Sequence, residues 1–249
     1  MRKLISADIN RIMHKKLLWV CLGLGILMLG AAALGFKVAF VWDGSIFSYA
    51  MGFAIPFLEF VFGSLTLVYV YGEELRSMTM ITAIGRGLTR EKLILAKFLD
   101  TVIISVMLNG VMALFIFIFQ LISGANMTQA QGTLVYLTVF TGLYRTLGYL
   151  TTSALVLFIT WSIPLSVLVY SAFNLLIPTA FLLFTDSTPV AILHIDRYYF
   201  GSIADMALTD LMLGLPAEGA ALYLTGFLAY IFLPLLLMIL VFRKKELDF

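Results

Sequence analysis

Residues 17–36 read LLWVCLGLGILMLGAAALGF, twenty residues without a formal charge. A helix needs about 20 apolar residues to cross the hydrocarbon core of a bilayer, so this run is membrane grade by itself. The rest of the chain agrees. Of its 249 residues 62% are hydrophobic and 12% charged, with a mean hydropathy of +1.05. An ordinary soluble domain holds roughly 45–50% apolar and about 25% charged residues. The run is also longer than the roughly 7–15 residues of a signal-peptide core, and no small-residue cleavage site follows it clearly, so it is expected to remain as an anchor. The chain reads as an all-α polytopic membrane protein.

Outward from that run, further spans follow. Gly44 to Gly72 is apolar except for Glu59, and from Thr101 to Thr185 the only formal charge is Arg145. The polar, turn-prone Ser123-Gly-Ala-Asn-Met-Thr-Gln divides that second stretch once. Trp161-Ser-Ile-Pro164 divides it again, because proline suits a first helical turn and disfavours helix in the residue before it. The expected architecture is six transmembrane helices at about 17–37, 46–71, 98–122, 133–160, 163–185 and 218–242. An amphipathic interfacial helix at 2–16 precedes them, with Leu4, Ile5, Ile9, Ile12 and Met13 on one face. Residues 186–217 form an extracellular segment, within which Ser202 to Leu213 has the pattern of a short amphipathic helix through Ile203, Met206, Ala207 and Met212.

Charge placement orients these spans. All Lys and Arg residues except Lys37, Arg145 and Arg197 fall in three clusters, at 2–16, 76–97 and 243–245. Loops rich in Lys and Arg stay cytoplasmic, which puts both termini and residues 73–97 inside. The clusters therefore read as topology signals, and no nucleic-acid partner is expected. Trp19, Trp42, Tyr49, Tyr69, Tyr71 and Trp161 fall near span ends, as an aromatic belt requires. The single Cys21 and the well-separated His14 and His194 offer no disulfide, metal or catalytic constellation.

Between the second and third spans lies EELRSMTMITAIGRGLTREKLILAK, residues 73–97. Leu75, Met78 and Ile81 share a helical face. Gly85-Arg86-Gly87 then breaks the helix, and Thr89 is placed to cap the next one, with Glu91 in its first turn where the dipole favours an acid. The expected product is a helix–turn–helix elbow on the cytoplasmic surface.

Glu-Leu-Arg-Ser-x-Thr, the Gly-Arg-Gly turn, Leu-Thr-Arg-x-Lys-Leu and the Lys entering the third span resemble the coupling region of type-2 ABC permeases, with Met78 where many members carry Gly. The amphipathic helix before the first span and the basic end Phe-Arg-Lys-Lys-Glu-Leu-Asp-Phe are similar to the same family. The resemblance implies the transmembrane subunit of an ATP-driven exporter in a bacterial cell membrane. It implies a second permease copy, identical or not, and a separate ATP-binding subunit docked on a coupling helix through Glu74, Arg76, Met80, Arg86 and Arg90. The chain has no Gly-x-x-x-x-Gly-Lys phosphate loop, so ATP and Mg belong to that partner. It is expected to bind no cofactor of its own and to be no enzyme. The cargo implied is hydrophobic or amphipathic, a peptide toxin or antimicrobial, with lipid-like molecules as the neighbouring class.

Glu59 and Arg145 are the two charges expected in mid-span. Each lies twelve or thirteen residues from the outer start of its helix, which at about 1.5 Å per residue places both roughly 18–20 Å below the outer end. Such charges face a partner or a wet cavity. Together they read either as a strut or as a polar site on the substrate path. Asp100, near the inner end of the third span, is placed to reach water or Lys97. The alternative for the whole chain is a proton-coupled secondary transporter using Glu59. A membrane protease fits less well, because the Glu73-Glu74 pair lacks the arginine four residues on and the histidines within spans that such enzymes need.

Overall fold

The computed structural model describes residues 2–40, 42–72, 75, 79–85, 87–184 and 195–244, and among them there is no strand. In order they form α1 (Arg2–Met13), α2 (Lys16–Ala39), and α3 (Gly44–Leu67), which widens into a π turn at Val68–Gly72. Next come the short α4 (Thr79–Gly85), α5 (Arg90–Ser123) and α6 (Gln129–Thr160). The seventh, α7, runs over Ile163–Ser171, passes a π turn at Ala172–Leu176 and resumes at Ile177–Phe184. A 3₁₀ turn (Ile195–Tyr198) leads into α8 (Phe200–Met212). Last, α9 runs Pro216–Phe227, through a π turn at Leu228–Phe232, to Leu233–Lys244.

Among the described residues, five helices are long and apolar enough to cross a membrane: Lys16–Ala39, Gly44–Gly72, Arg90–Ser123, Ile163–Phe181 and Pro216–Lys244. Their outward faces carry large apolar side chains, such as Val38 at 89% and Ile122 at 78% exposure. Water would not tolerate so wide an apolar surface on a soluble monomer. This is a membrane protein. The expected fourth span, 133–160, is helical throughout, but α6 is not among the five. The reason is its position: α3, α5, α7, α8 and α9 all pack against it. Shielded in this way, it carries Arg145 and the buried hydroxyls of Thr141, Thr146, Thr151 and Ser153.

The helix boundaries follow from local chemistry. Asp43 caps α3 by accepting from the Ile46 N–H at 2.9 Å. Thr89 caps α5 through Lys92 N, with Glu91 in the first turn as expected. Thr128 and Gln131 form a reciprocal capping box on α6. The break after α6 falls at Trp161, which adopts a left-handed φ of 57° while its N–H bonds the Leu157 carbonyl. Ser162 then caps α7, and Pro164 occupies its first turn.

In the elbow, α4 ends at Gly85 and the chain turns at Gly87, φ 94°. The Gly87 N–H reaches the Ile84 carbonyl and the Leu88 N–H reaches that of Ala83, a Schellman-type ending that an L side chain at 87 would strain. The glycine turn expected from the sequence is therefore made by its second glycine.

Two packing expectations change in detail. Of Gly23, Gly25 and Gly30, Gly25 is packed most tightly, where a Cβ would lie 3.0 Å from a Leu58 methyl, while one on Gly30 would lie 3.9 Å from Phe119. In α8 the buried face is Phe200, Gly201, Ala204 and Ala207, not the larger Ile203, Met206 and Met212. Small side chains win because α8 lies close to α9, where a Cβ on Gly219 would come 2.9 Å from the Ala207 carbonyl.

Tyr170, fully buried, sits over Gly63, so a Cβ there would overlap its hydroxyl. Gly63→Ala is expected to lower stability by about 1–3 kcal/mol. Gly23→Ala, in open space, should raise it by about 0.5–1 kcal/mol. Thermal unfolding of the detergent-purified variants checks the opposite signs. At the cap of α3, bonds from the Ile46 N–H and the Ser45 hydroxyl hold the Asp43 carboxyl below the usual carboxylate range. Its contribution is thus full above about pH 4 and is lost as pH falls through the lowered folded value. Asp43→Asn should remove that acid-side step from a Tm-against-pH series while leaving the neutral-pH helix content intact.

Candidate functional site

Three elements bring charges together midway along α6. From α3 comes Glu59, 2% exposed, whose Oε2 lies 3.3 Å from Arg145 Nη2. From α8 comes Asp205, half-exposed, whose Oδ1 lies 2.9 Å from Arg145 Nη1. The guanidinium fork thus serves two carboxylates at once, a geometry that a lysine could not reproduce. Glu59 fits because α6 has Gly142 opposite it; a Cβ there would overlap the carboxylate. Its Oε1 has no hydrogen-bond partner, and its own backbone carbonyl accepts from the Tyr170 hydroxyl at 2.9 Å.

An aromatic cluster closes one side. Tyr149, on the α6 turn next to Arg145, stacks on Tyr199 and Phe173 and meets Tyr170 and Phe200 edge-on. Its hydroxyl donates to that of Tyr199 at 2.6 Å, and Tyr199 in turn donates to the Phe173 carbonyl. This chain of bonds joins α6, the 195–199 turn and α7. Between these elements lies a cavity of about 440 Å³ with Glu59, Arg145, Asp196 and Asp205 on its polar side. Pro56, Pro178 and Phe181 form part of its apolar side.

A second charged cluster sits at the end of the bundle where the basic residues gather. Lys97, 1% exposed, donates to Asp8 at 2.6 Å and lies 3.5 Å from Asp100, whose side chain is fully buried. Arg11 pairs with the same Asp8 at 3.5 Å. A single Asp in α1 thereby fastens that helix to α5. Close by, the Thr101 hydroxyl donates to Tyr71 at 3.2 Å, linking α5 to the end of α3.

The residues singled out from sequence fall into three groups. Glu59 and Arg145 come together directly. Met80 and Arg90 are engaged within the chain: Met80 is buried in the core, and Arg90 donates to the carbonyls of Phe242 and Arg243, both at 3.0 Å, at the end of α9. Glu74, Arg76 and Arg86 lie outside the described residues. Lys97 lies beside Asp100 as expected, whereas Asp205 and Asp8 were not singled out. Their signals were present, since Arg145 is the lone base of a long uncharged stretch and Asp8 the lone acid of residues 2–16.

No protein-family model matches this chain, and no curated protein does. Among the described residues, no group of three His, Cys, Asp or Glu side chains is placed to hold a metal ion. What the arrangement can do is bind a charged group at depth, or fix the relative positions of α3, α6 and α8.

Both roles require the ion pairs to be structural. Arg145→Met leaves Glu59 buried without its partner and is expected to lower stability by about 3–5 kcal/mol. Adding Glu59→Gln should recover most of that loss. Chemical unfolding of the single and double variants decides it, and a double variant no better than Arg145→Met would reject the pairing as the source.

Proposed function

We propose that this chain is the transmembrane subunit of an ATP-driven exporter of the type-2 ABC class. In this reading it has six spans with α6 as the fourth, both termini in the cytoplasm of a bacterial cell, and a second permease copy beside it. The observation that supports it is the elbow: a seven-residue helix, α4, joined through a glycine turn to the start of α5. Such a helix is rigid and short, and force applied to it passes into α5. Through Arg90 the same force reaches the end of α9, so one push at the basic end moves two long helices. The work comes from ATP and Mg held by a separate subunit, since the sequence carries no phosphate loop. The cargo is a hydrophobic or amphipathic molecule, in our reading a peptide toxin or antimicrobial.

A proton-coupled transporter using Glu59 is the second reading, favoured by the unpartnered Oε1 of that buried carboxylate. The two separate by experiment. Gentle-detergent purification from native membranes is expected to bring down a nucleotide-binding subunit, and Glu74→Ala with Arg86→Glu to abolish its recovery. Arg90 is left intact in that test because it holds the end of α9. Recovery of the chain alone, still active in proteoliposomes without ATP, would overturn the exporter reading in favour of the proton carrier.

A further inference from the structure

The cavity beside Arg145 is out of charge balance. Among the described residues, Glu59, Asp196 and Asp205 line it from three different elements, against Arg145 as the single base. Arg145 spends its two terminal nitrogens on Glu59 and Asp205, and among the described residues Asp196 makes no ion pair. Glu59 turns its unpartnered Oε1 toward Gly142, so the imbalance that faces the cavity is that of its lining as a whole, three acids against one base, whose low-energy complement is a cation.

The walls indicate which kind of cation. Among the described residues no three acidic side chains close on one point to hold a metal ion, and a volume of about 440 Å³ far exceeds a bare ion. It lies within the roughly 300–1,000 Å³ range of organic-ligand pockets. The ring of Tyr199 forms part of the wall beside the acids, and aromatic faces attract ammonium groups. The prolines and phenylalanine opposite offer an apolar surface for a carbon chain.

We infer that this cavity is a binding site for the ammonium group of an amphiphilic amine, held by Glu59, Asp196 and Asp205 with its carbon chain along the apolar wall. The ammonium group comes either from a free alkylamine or from an aminophospholipid headgroup. The site stands on the geometry of this chain alone and does not require the exporter reading, so recovery of an ATPase and binding of an amine succeed or fail separately.

Calorimetric titration of the full chain in neutral detergent with n-octylammonium chloride tests the inference, with sodium octanoate and octanol as length-matched controls. Saturable 1:1 binding of octylammonium, with no binding of octanoate, is expected. Asp196→Asn and Asp205→Asn should each weaken it about fivefold to tenfold, as loss of one partly exposed charge partner would. Glu59→Gln should weaken it further. The two aspartates lie on a turn and at a half-exposed helix position, so their variants keep the test open should Glu59→Gln fail to fold. Equal binding of octanoate or octanol, or unchanged affinity in both folded Asp variants, would overturn the assignment. Native mass spectrometry separates the sources. Phosphatidylethanolamine retained through purification and displaced by octylammonium identifies the headgroup, whereas octylammonium binding to lipid-free chain identifies the free amine.

Discussion

Arg145 is the constraint around which the helices are arranged. A guanidinium in the middle of an apolar helix costs at least about 2.5–3.5 kcal/mol if it faces hydrocarbon, so α6 must turn that side inward and find acids there. It finds two, one from α3 and one from α8, and each fixes a helix face. Gly142 makes the approach of Glu59 possible, and Tyr170 holds the backbone of Glu59 from α7. Four elements are thereby set by one side chain. The polar character that makes α6 a poor lipid-facing helix is the same property that makes it the centre.

The basic end works by a different logic. There the charges are many and pair locally: Asp8 with Lys97 and Arg11, Lys97 with Asp100, Glu91 with Arg243. The last of these is exposed and worth little, but the Asp8–Lys97 pair is buried and draws α1 onto α5. Arg90 answers the last carbonyls of α9, which a helix terminus otherwise leaves without donors. The two ends of the chain are therefore tied to the start of one helix, α5.

Much of this was legible in the sequence. The breaks at 123–129 and 161–164 follow from turn and proline chemistry and lie where expected, and hydropathy places the five helices that are apolar enough to cross a membrane. The matching depths of Glu59 and Arg145 came from counting residues along two helices. What could not be read was Asp205. Its segment is polar and follows an apolar span, so it reads as an outer connection. Only tertiary packing shows α8 lying along α6 as far as Phe200, which is fully buried. The shift of its buried face has the same origin: hydrophobic periodicity favours Ile203, Met206 and Met212, whereas close helix contact favours Gly201 and Ala204, with Ala207 common to both. The pairing of Lys97 with Asp8, beyond the expected Asp100, was hidden for another reason. A lysine in a basic cluster reads as a topology signal, and nothing local says that its ammonium turns back to Asp8.

The position of α8 bears on how the molecule is made. At 13 residues it is about 20 Å long, short of the roughly 30 Å hydrocarbon core. Length gives it no means of entering the bilayer as an independent span, and its aspartates oppose entry. It takes its place only once α6 offers Arg145 and α9 offers the glycines that it packs against. Glu59, Arg145 and Asp205 follow one another along the chain, so Asp205 is the last of the three charges to be synthesised, and the triad is complete only when α8 is in place.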